Sequence, residues 1–438
     1  LSAGLHPSLV ALRHRNFRLL WIGLLFSFTG SFMQAAAILW HVSLLVPPDK
    51  KGLALGMVGL VRVVPIVLFS MISGVVADAW NRRRLMLFTQ TAAATVALTL
   101  AILTSRGLNA VWVLYALAAL SSSVGAFDLP ARQALLPMLV PREHLPNAIS
   151  LNTIMVQAAS IAGPGLGGLL IGSAGLAWVY LLNAVSFGCV ILALLLMRDV
   201  PERPVSESEA RDAVSLRAAI EGLRFVFQSP LIRSTMLLDF FATFFSSAVA
   251  LLPIYAQDIL RVGPQGYGWL YAAPAAGAVI MSAAMVPLTD RIVRRGPVLL
   301  WAVAAYGLAT VGFGLSRAFW LSFTCLALTG VADTVSMVIR SVVRQLETPD
   351  RLRGRMTGIN MVFFMGGPQL GELEAGSVAQ WLGATFSVVS GGVGCLLVTA
   401  WVAASTPQLR RYRASPPAPP RPMTAHAPTQ DDPAVSNS

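Results

Sequence analysis

Apolar runs long enough to cross about 30 Å of hydrocarbon recur along the chain. Six lie in its first half, at 17–46, 53–77, 85–104, 109–127, 148–171 and 176–197. Six more follow at 234–256, 266–289, 297–315, 318–339, 356–380 and 383–404. The pattern predicts an all-α polytopic membrane protein of twelve transmembrane helices in two six-helix bundles, 13–197 and 234–406, after an N-terminal tail at 1–12. The polar break at 198–233 carries Leu216, Ile220, Leu223 and Phe227 at helical spacing, with Arg217, Glu221 and Arg224 on other faces. It reads as an amphipathic helix on the membrane surface or as a plain connector. From 407 to 438 eight prolines and few apolar residues predict a disordered tail.

Composition agrees with the pattern. Of 438 residues 55% are apolar and 12% charged, against roughly 25% charged in soluble domains, and the mean hydropathy is +0.68. This arithmetic argues against a soluble enzyme, a disordered chain, a disulfide scaffold and a DNA-binding module. Cys189, Cys325 and Cys395 sit far apart in apolar runs and read as packing residues. The net charge of +12 comes from 32 basic residues, of which only Lys50 and Lys51 are lysines. With both termini in the cytoplasm, 26 of the 32 fall on the inner side and five on the outer, and Arg62 lies inside a span. The positive-inside rule therefore fixes the expected orientation and accounts for the charge without nucleic acid. The first apolar run is longer than a signal-peptide core, so the first helix is expected to stay in the mature protein.

The two halves echo each other. Gly74-Val-Val-Ala-Asp78-Ala-Trp-Asn-Arg82-Arg83-Arg84 after the second span is matched by Pro287-Leu-Thr-Asp290-Arg291-Ile-Val-Arg294-Arg295 after the eighth. Gly163-Pro164-Gly-Leu-Gly167-Gly168 in the fifth span is matched by Gly367-Pro368-Gln-Leu-Gly371 in the eleventh. Proline-led loops, Pro141-Arg142-Glu143 and Pro349-Asp350-Arg351, precede both of those spans. From Arg13 to about Ser405 the chain resembles the major facilitator superfamily, most closely the bacterial branch of enterobactin exporters and macrolide efflux proteins. Pro130-Ala-Arg132-Gln-Ala-Leu-Leu-Pro137 and Pro349-Asp-Arg-Leu-Arg-Gly354-Arg355 carry the resemblance to that branch. It implies the major facilitator fold, with bundles related by a pseudo-two-fold axis and helices 1, 4, 7 and 10 lining a central cavity. It also implies that helices 2 and 11 meet between the bundles and that the two aspartate–arginine loops form a cytoplasmic latch of Asp78, Arg82, Arg83, Asp290 and Arg291. The family loop usually has a basic residue directly after its aspartate. Here Ala79 follows Asp78, while the second copy keeps Asp290-Arg291.

Candidate chemistry is confined to ionisable residues within the spans, which are costly to bury in lipid and so mark function. Asp239 and Asp333 are expected about 10 Å from the inner helix ends, either as proton-coupling groups or as structural carboxylates held by an arginine such as Arg340. Glu372 and Glu374 are further proton candidates, and one of them is expected to pair with Arg62 as an outer gate. Gly163, Pro164, Gly167 and Gly168 form a small-residue packing surface, with Ala273, Ala276 and Gly277 of the eighth span as its expected partner. Phe28, Gln34, Trp40, His41, Tyr115, Phe240, Phe244, Phe245, Trp320 and Phe323 are candidate cavity groups for a large amphipathic ligand. No Walker loop can form, because neither lysine follows a glycine, and no HExxH, EF-hand or plausible GxSxG motif is present.

The expected protein is a bacterial inner-membrane secondary transporter without cofactor or resident metal. It would export a small amphipathic molecule, drug-like or siderophore, by alternating access and proton antiport. The residues leave open a lysophospholipid or other dedicated metabolite carrier, a membrane-embedded lipid-modifying enzyme and a non-transporting receptor. Expected partners are the substrate, protons and membrane lipid, with a monomer as the working form.

Overall fold

Lipid offers no hydrogen-bond partners, so each apolar run must satisfy its backbone internally as a helix. The computed structural model describes residues 7–198, 224–349 and 353–413. Its spans are α1 Arg15–Leu45, α2 Lys51–Ala79, α3 Arg82–Ser105, α4 Val111–Leu135, α5 Leu145–Ser173 and α6 Leu176–Leu196. The second set is α7 Pro230–Phe245, α8 Gly263–Leu288, α9 Arg295–Leu315, α10 Phe319–Glu347, α11 Arg353–Leu382 and α12 Ala384–Ser405. Eleven helices among the described residues are long and apolar enough to cross a membrane, and the 30-residue α11 completes twelve. A short α13, Pro407–Arg411, opens the segment expected to be disordered; most of that tail, and Leu216, Ile220 and Leu223 of the linker, lie outside the described residues.

Three spans depart from expectation. Both α4 and α10 run eight residues past their expected ends, because Asp128, Arg132 and Arg340 are ion-paired inside the bundles, and Arg344 is hydrogen-bonded to Asn360, instead of marking loops. The helical part of α7 stops at Phe245, and irregular turns carry the span through Ser246 and Ser247 to a π-helical turn at Tyr255–Ile259. The α5–α6 and α11–α12 turns are closed by Gly175 (φ +92°) and Gly383 (φ +86°), a left-handed conformation that glycine adopts without Cβ strain.

Helix packing repeats the echo in the sequence. Gly163 and Gly167 of α5 lie against Thr29, Phe32 and Met33 of α1, and Gly367 and Gly371 of α11 lie against Phe240, Thr243 and Phe244 of α7. Gly168 turns towards α8, where it meets Pro264 and Gly268, and the Pro164 carbonyl also faces Gly268; the expected Gly277 faces Ala327 of α10 instead. The reason is rotational: residues four and five apart on a helix point to different neighbours.

The hydrophobic cores differ between the two ends of the molecule. At the arginine-rich end each half has its own core, around Phe17, Leu20 and Met155 in one and Leu299, Val343 and Val402 in the other. At the arginine-poor end Ala36 and Trp40 of α1 belong to the same core as Leu251, Tyr255 and Tyr267 of the second half.

Candidate functional site

Two seams join the halves near the arginine-poor end. In the first, α2 lays Gly52, Gly56 and Gly59 against Gly376, Glu372 and Gln369 of α11. In the second, Gly168 of α5 meets Gly268 of α8, and the Tyr267 hydroxyl donates to the Ala36 carbonyl at 2.8 Å. Beyond them Lys51 donates to Gln257 at 2.8 Å and pairs with Asp258 at 3.2 Å, while Gln257 donates to Ser43 at 2.7 Å. Gln380 accepts from the Leu53 amide and donates to the Asp49 carbonyl. These hydrogen bonds between the halves all lie at one end of the molecule.

Arg62 and Glu372 both enter the first seam, but the expected gate pair is not formed. Arg62 donates to the Ala35 carbonyl at 3.3 Å, and no ion pair within 4 Å joins it to Glu372 or Glu374 among the described residues. Glu372 is buried against Gly59, one turn from Arg62 and within its electrostatic range, and its Oε2 makes no hydrogen bond. Glu374 is half-buried on another face. The halves are joined here by glycine packing and by the Lys51 cluster, which the sequence reading missed; the Gly52-x-x-x-Gly56 spacing was the available signal for the packing.

Mid-span in the second half, Arg340 lies between two carboxylates. It donates to Asp239 in a close buried pair and stands 3.5 Å from Asp333. Arg344 is engaged with Asn360 at 2.6 Å. The alternative role foreseen for the aspartates, partners of Arg340, is thus present in the geometry. The side chain of Asp333 keeps 45% of its surface accessible against 6% for Asp239. Because α10 is longer than expected, Asp333 sits about 21 Å from the arginine-rich end of its helix, not about 10 Å.

The first half has a counterpart that the sequence reading missed. Asp128 accepts from Thr89 at 2.9 Å and Gln90 at 2.8 Å, with Arg132 at 3.6 Å and its guanidinium 4.3 Å from the centre of the Phe28 ring. The i, i+4 spacing of Asp128 and Arg132 was the signal. The latch side chains of Asp78 and Asp290 lie outside the described residues. Arg83 caps the end of α6 through the Leu194 carbonyl at 2.8 Å, Arg82 reaches the Met138 sulfur at 3.1 Å, and Arg291 is exposed. At the same end His14 and His144 share a 2.9 Å ring contact, and partial burial together with His144 holds His14 below its ordinary pKa.

Several proposed cavity groups are committed elsewhere. His41 pairs with Tyr180, Gln34 accepts from Asn183, the Tyr115 hydroxyl donates to Ala54, and Trp40 stacks on Tyr267 across the halves. Trp320 is 75% exposed on the outside of the molecule. Phe28 and the Phe240–Phe244 stack stay as aromatic candidates.

The residues matched by the family described as transmembrane secretion effector run from 6 to 429. The chain belongs to that family, within the major facilitator superfamily. It is 29% identical over 350 residues to the enterobactin exporter EntS of Escherichia coli O1:K1, an alignment covering 79% of this chain and 82% of that protein. Among solved structures it resembles a bacterial homologue of the lysosomal transporter Spinster, described as inward-facing and unoccupied. That match has a TM-score of 0.69 at 16% identity and covers 94% of this chain and all of that one. A bacterial homologue of the iron transporter ferroportin, also described as inward-facing, matches with a TM-score of 0.66 at 17% identity over 91% and 99% of the two chains. The twelve-helix architecture in two pseudo-symmetric bundles is that of major facilitator transporters, and this protein is a multi-pass membrane transporter.

Proposed function

We propose that the transporter exports a small amphipathic molecule of the siderophore or drug-like class across the bacterial inner membrane, by alternating access and in exchange for protons. The observation that carries this reading is the unequal joining of the halves: one shared core at the arginine-poor end and two separate cores at the other. A rocking pair of bundles needs such a seam on one side of its binding site. With the arginine-rich end and both termini in the cytoplasm, the described conformer is closed to the outside. The relationship to an enterobactin exporter favours a catecholate cargo and an outward direction, and Phe28 and the Phe240–Phe244 stack offer aromatic surface to receive it.

Asp333 is the proposed proton carrier, because its surface is accessible while its arginine partner is held chiefly by Asp239. Asp239 is then the fixed counter-charge of Arg340. Proteoliposomes with a preset pH gradient, challenged in turn with a catecholate siderophore, a macrolide, a cationic dye and a lysolipid, test the reading. One compound is expected to trigger proton movement, with at least a tenfold loss in Asp333→Asn and little change in melting temperature. Asp239→Asn leaves Arg340 without its close partner and is expected to cost about 3–5 kcal/mol of stability. Silence from all four compounds in folded protein, or full coupling in Asp333→Asn, would reject the reading.

A further inference from the structure

Inside the second bundle a cavity of about 120 Å³ is bounded by the broken part of α7, Pro274 of α8, and α9 and α10. Its polar lining consists of Ser246, Tyr306, Thr310, Thr329 and Asp333. We propose that this cavity is a binding site for a small monovalent cation with oxygen ligands, Na⁺ being the ion it takes.

Three independent features converge on a cation. First, the lining is rich in acceptors. Thr310 and Thr329 spend their hydroxyl protons on the Tyr306 and Leu326 carbonyls, at 3.0 and 2.6 Å, which leaves oxygen lone pairs for other contacts. Ser246, only 5% exposed, stands beside the Cys395 thiol, yet its Oγ makes no hydrogen bond of ordinary geometry. Second, Asp333 is the freer of the two carboxylates beside Arg340. Arg340 donates to Asp239 in a close buried pair and stands 3.5 Å from Asp333, and the phenol of Tyr306 lies within electrostatic range of all three. Arg344, hydrogen-bonded to the neutral Asn360, is a second positive charge on the Asp239 side of the cluster. Asp333 is thus the carboxylate with an accessible surface to offer a cation. Third, α7 breaks at the cavity wall. The C-terminal end of its helical part, Pro230–Phe245, directs the negative pole of the helix towards Ser246. Interrupted spans of this kind are where transporters coordinate small cations.

The volume holds a cation with several waters, and the donor set of carboxylate and hydroxyl oxygens suits a hard ion. Soft or nitrogen-preferring metals find no ligand among these residues. The inference deepens the coupling role proposed for Asp333 and rests on it: Na⁺ and the proton would compete for one carboxylate.

Equilibrium binding of ²²Na⁺ to the purified full chain at pH 8 tests it without any transport substrate. Saturable binding is expected, displaced by lowering the pH to 5.5 and not by choline. Ser246→Ala, which removes a hydroxyl oxygen from the cavity wall, is expected to weaken affinity about tenfold, and Asp333→Asn to abolish binding. Thr91→Ala, a hydroxyl deletion on the exposed face of α3, leaves it unchanged. Absence of saturable ²²Na⁺ binding in protein that melts cooperatively overturns the inference, as does an unchanged affinity in Ser246→Ala. Proton-coupled transport that persists without Na⁺ binding would overturn this site alone and leave the antiport reading in place.

Discussion

The two seams between the halves occupy equivalent places in the repeat and are built differently. Gly168 of α5 and Glu372 of α11 lie 204 positions apart, the same offset that relates Gly163 to Gly367. In the α5–α8 seam that position is a glycine packed backbone to backbone on Gly268; in the α2–α11 seam it is a buried carboxylate packed on Gly59. One seam is a neutral pivot whose only variable is fit. The other carries an ionisable group, so its stability depends on whether a charge must leave water when the seam forms. A pseudo-symmetric scaffold has thereby acquired one passive and one chemically responsive contact.

The most severe way to break this comparison is to spoil the neutral seam. A Cβ at Gly168 would stand 2.5 Å from the Pro264 carbonyl and 2.8 Å from the Gly268 Cα, and backbone cannot yield as a side chain does. Gly168→Leu is expected to cost about 1–3 kcal/mol and to lower transport more than tenfold, read by melting temperature and substrate efflux. Near-normal efflux would show that α5 and α8 need not touch.

A smaller effect is expected from Glu372→Gln, which keeps the shape of the responsive seam and removes its charge. Spin labels at Arg106 and Arg317, both exposed at the arginine-poor end, would report separation of the halves. The wild-type distance distribution should shift with pH and the variant's should not, its closed population rising several-fold as the cost of burying charge disappears. Identical pH responses would remove Glu372 from the comparison.

Least consequential is the rim. The Lys51–Asp258 pair, 49% exposed on its acidic side, should contribute no more than about 1 kcal/mol. Lys51→Met is therefore expected to raise the open fraction in the same spin-label measurement by at most about fivefold.

The twelve spans were legible in the sequence because lipid imposes one solution on any long apolar run, and the echoed glycine–proline motifs do pack at equivalent places. Less legible was how far the charged helices run. The pairing of Arg340 with the aspartates is among the expectations, but Asp128, Arg132 and Arg344 each look like the end of a membrane segment when taken singly; their partners, Gln90 lying 38 positions from Asp128 and Asn360 lying 16 from Arg344, keep them inside helices. The break in α7 was hidden for a related reason: Ser246 and Ser247 are neither glycine nor proline, and the apolar run continues through them. Arg62 and Glu372 do meet at one seam, but in this conformer Arg62 donates to the Ala35 carbonyl and not to Glu372, a side-chain choice that hydropathy does not contain.

The depth of Asp333 has a consequence in electrical terms. It stands fourteen residues from each end of α10, so a cation arriving from either face crosses about half of the membrane potential. At about 2.3 kcal/mol per charge per 100 mV, that is about 1.2 kcal/mol, or roughly a sevenfold change in apparent affinity for each 100 mV. A monovalent cation bound at this carboxylate, as proposed, would have its occupancy set by voltage as well as by concentration, to the same degree for a proton as for Na⁺.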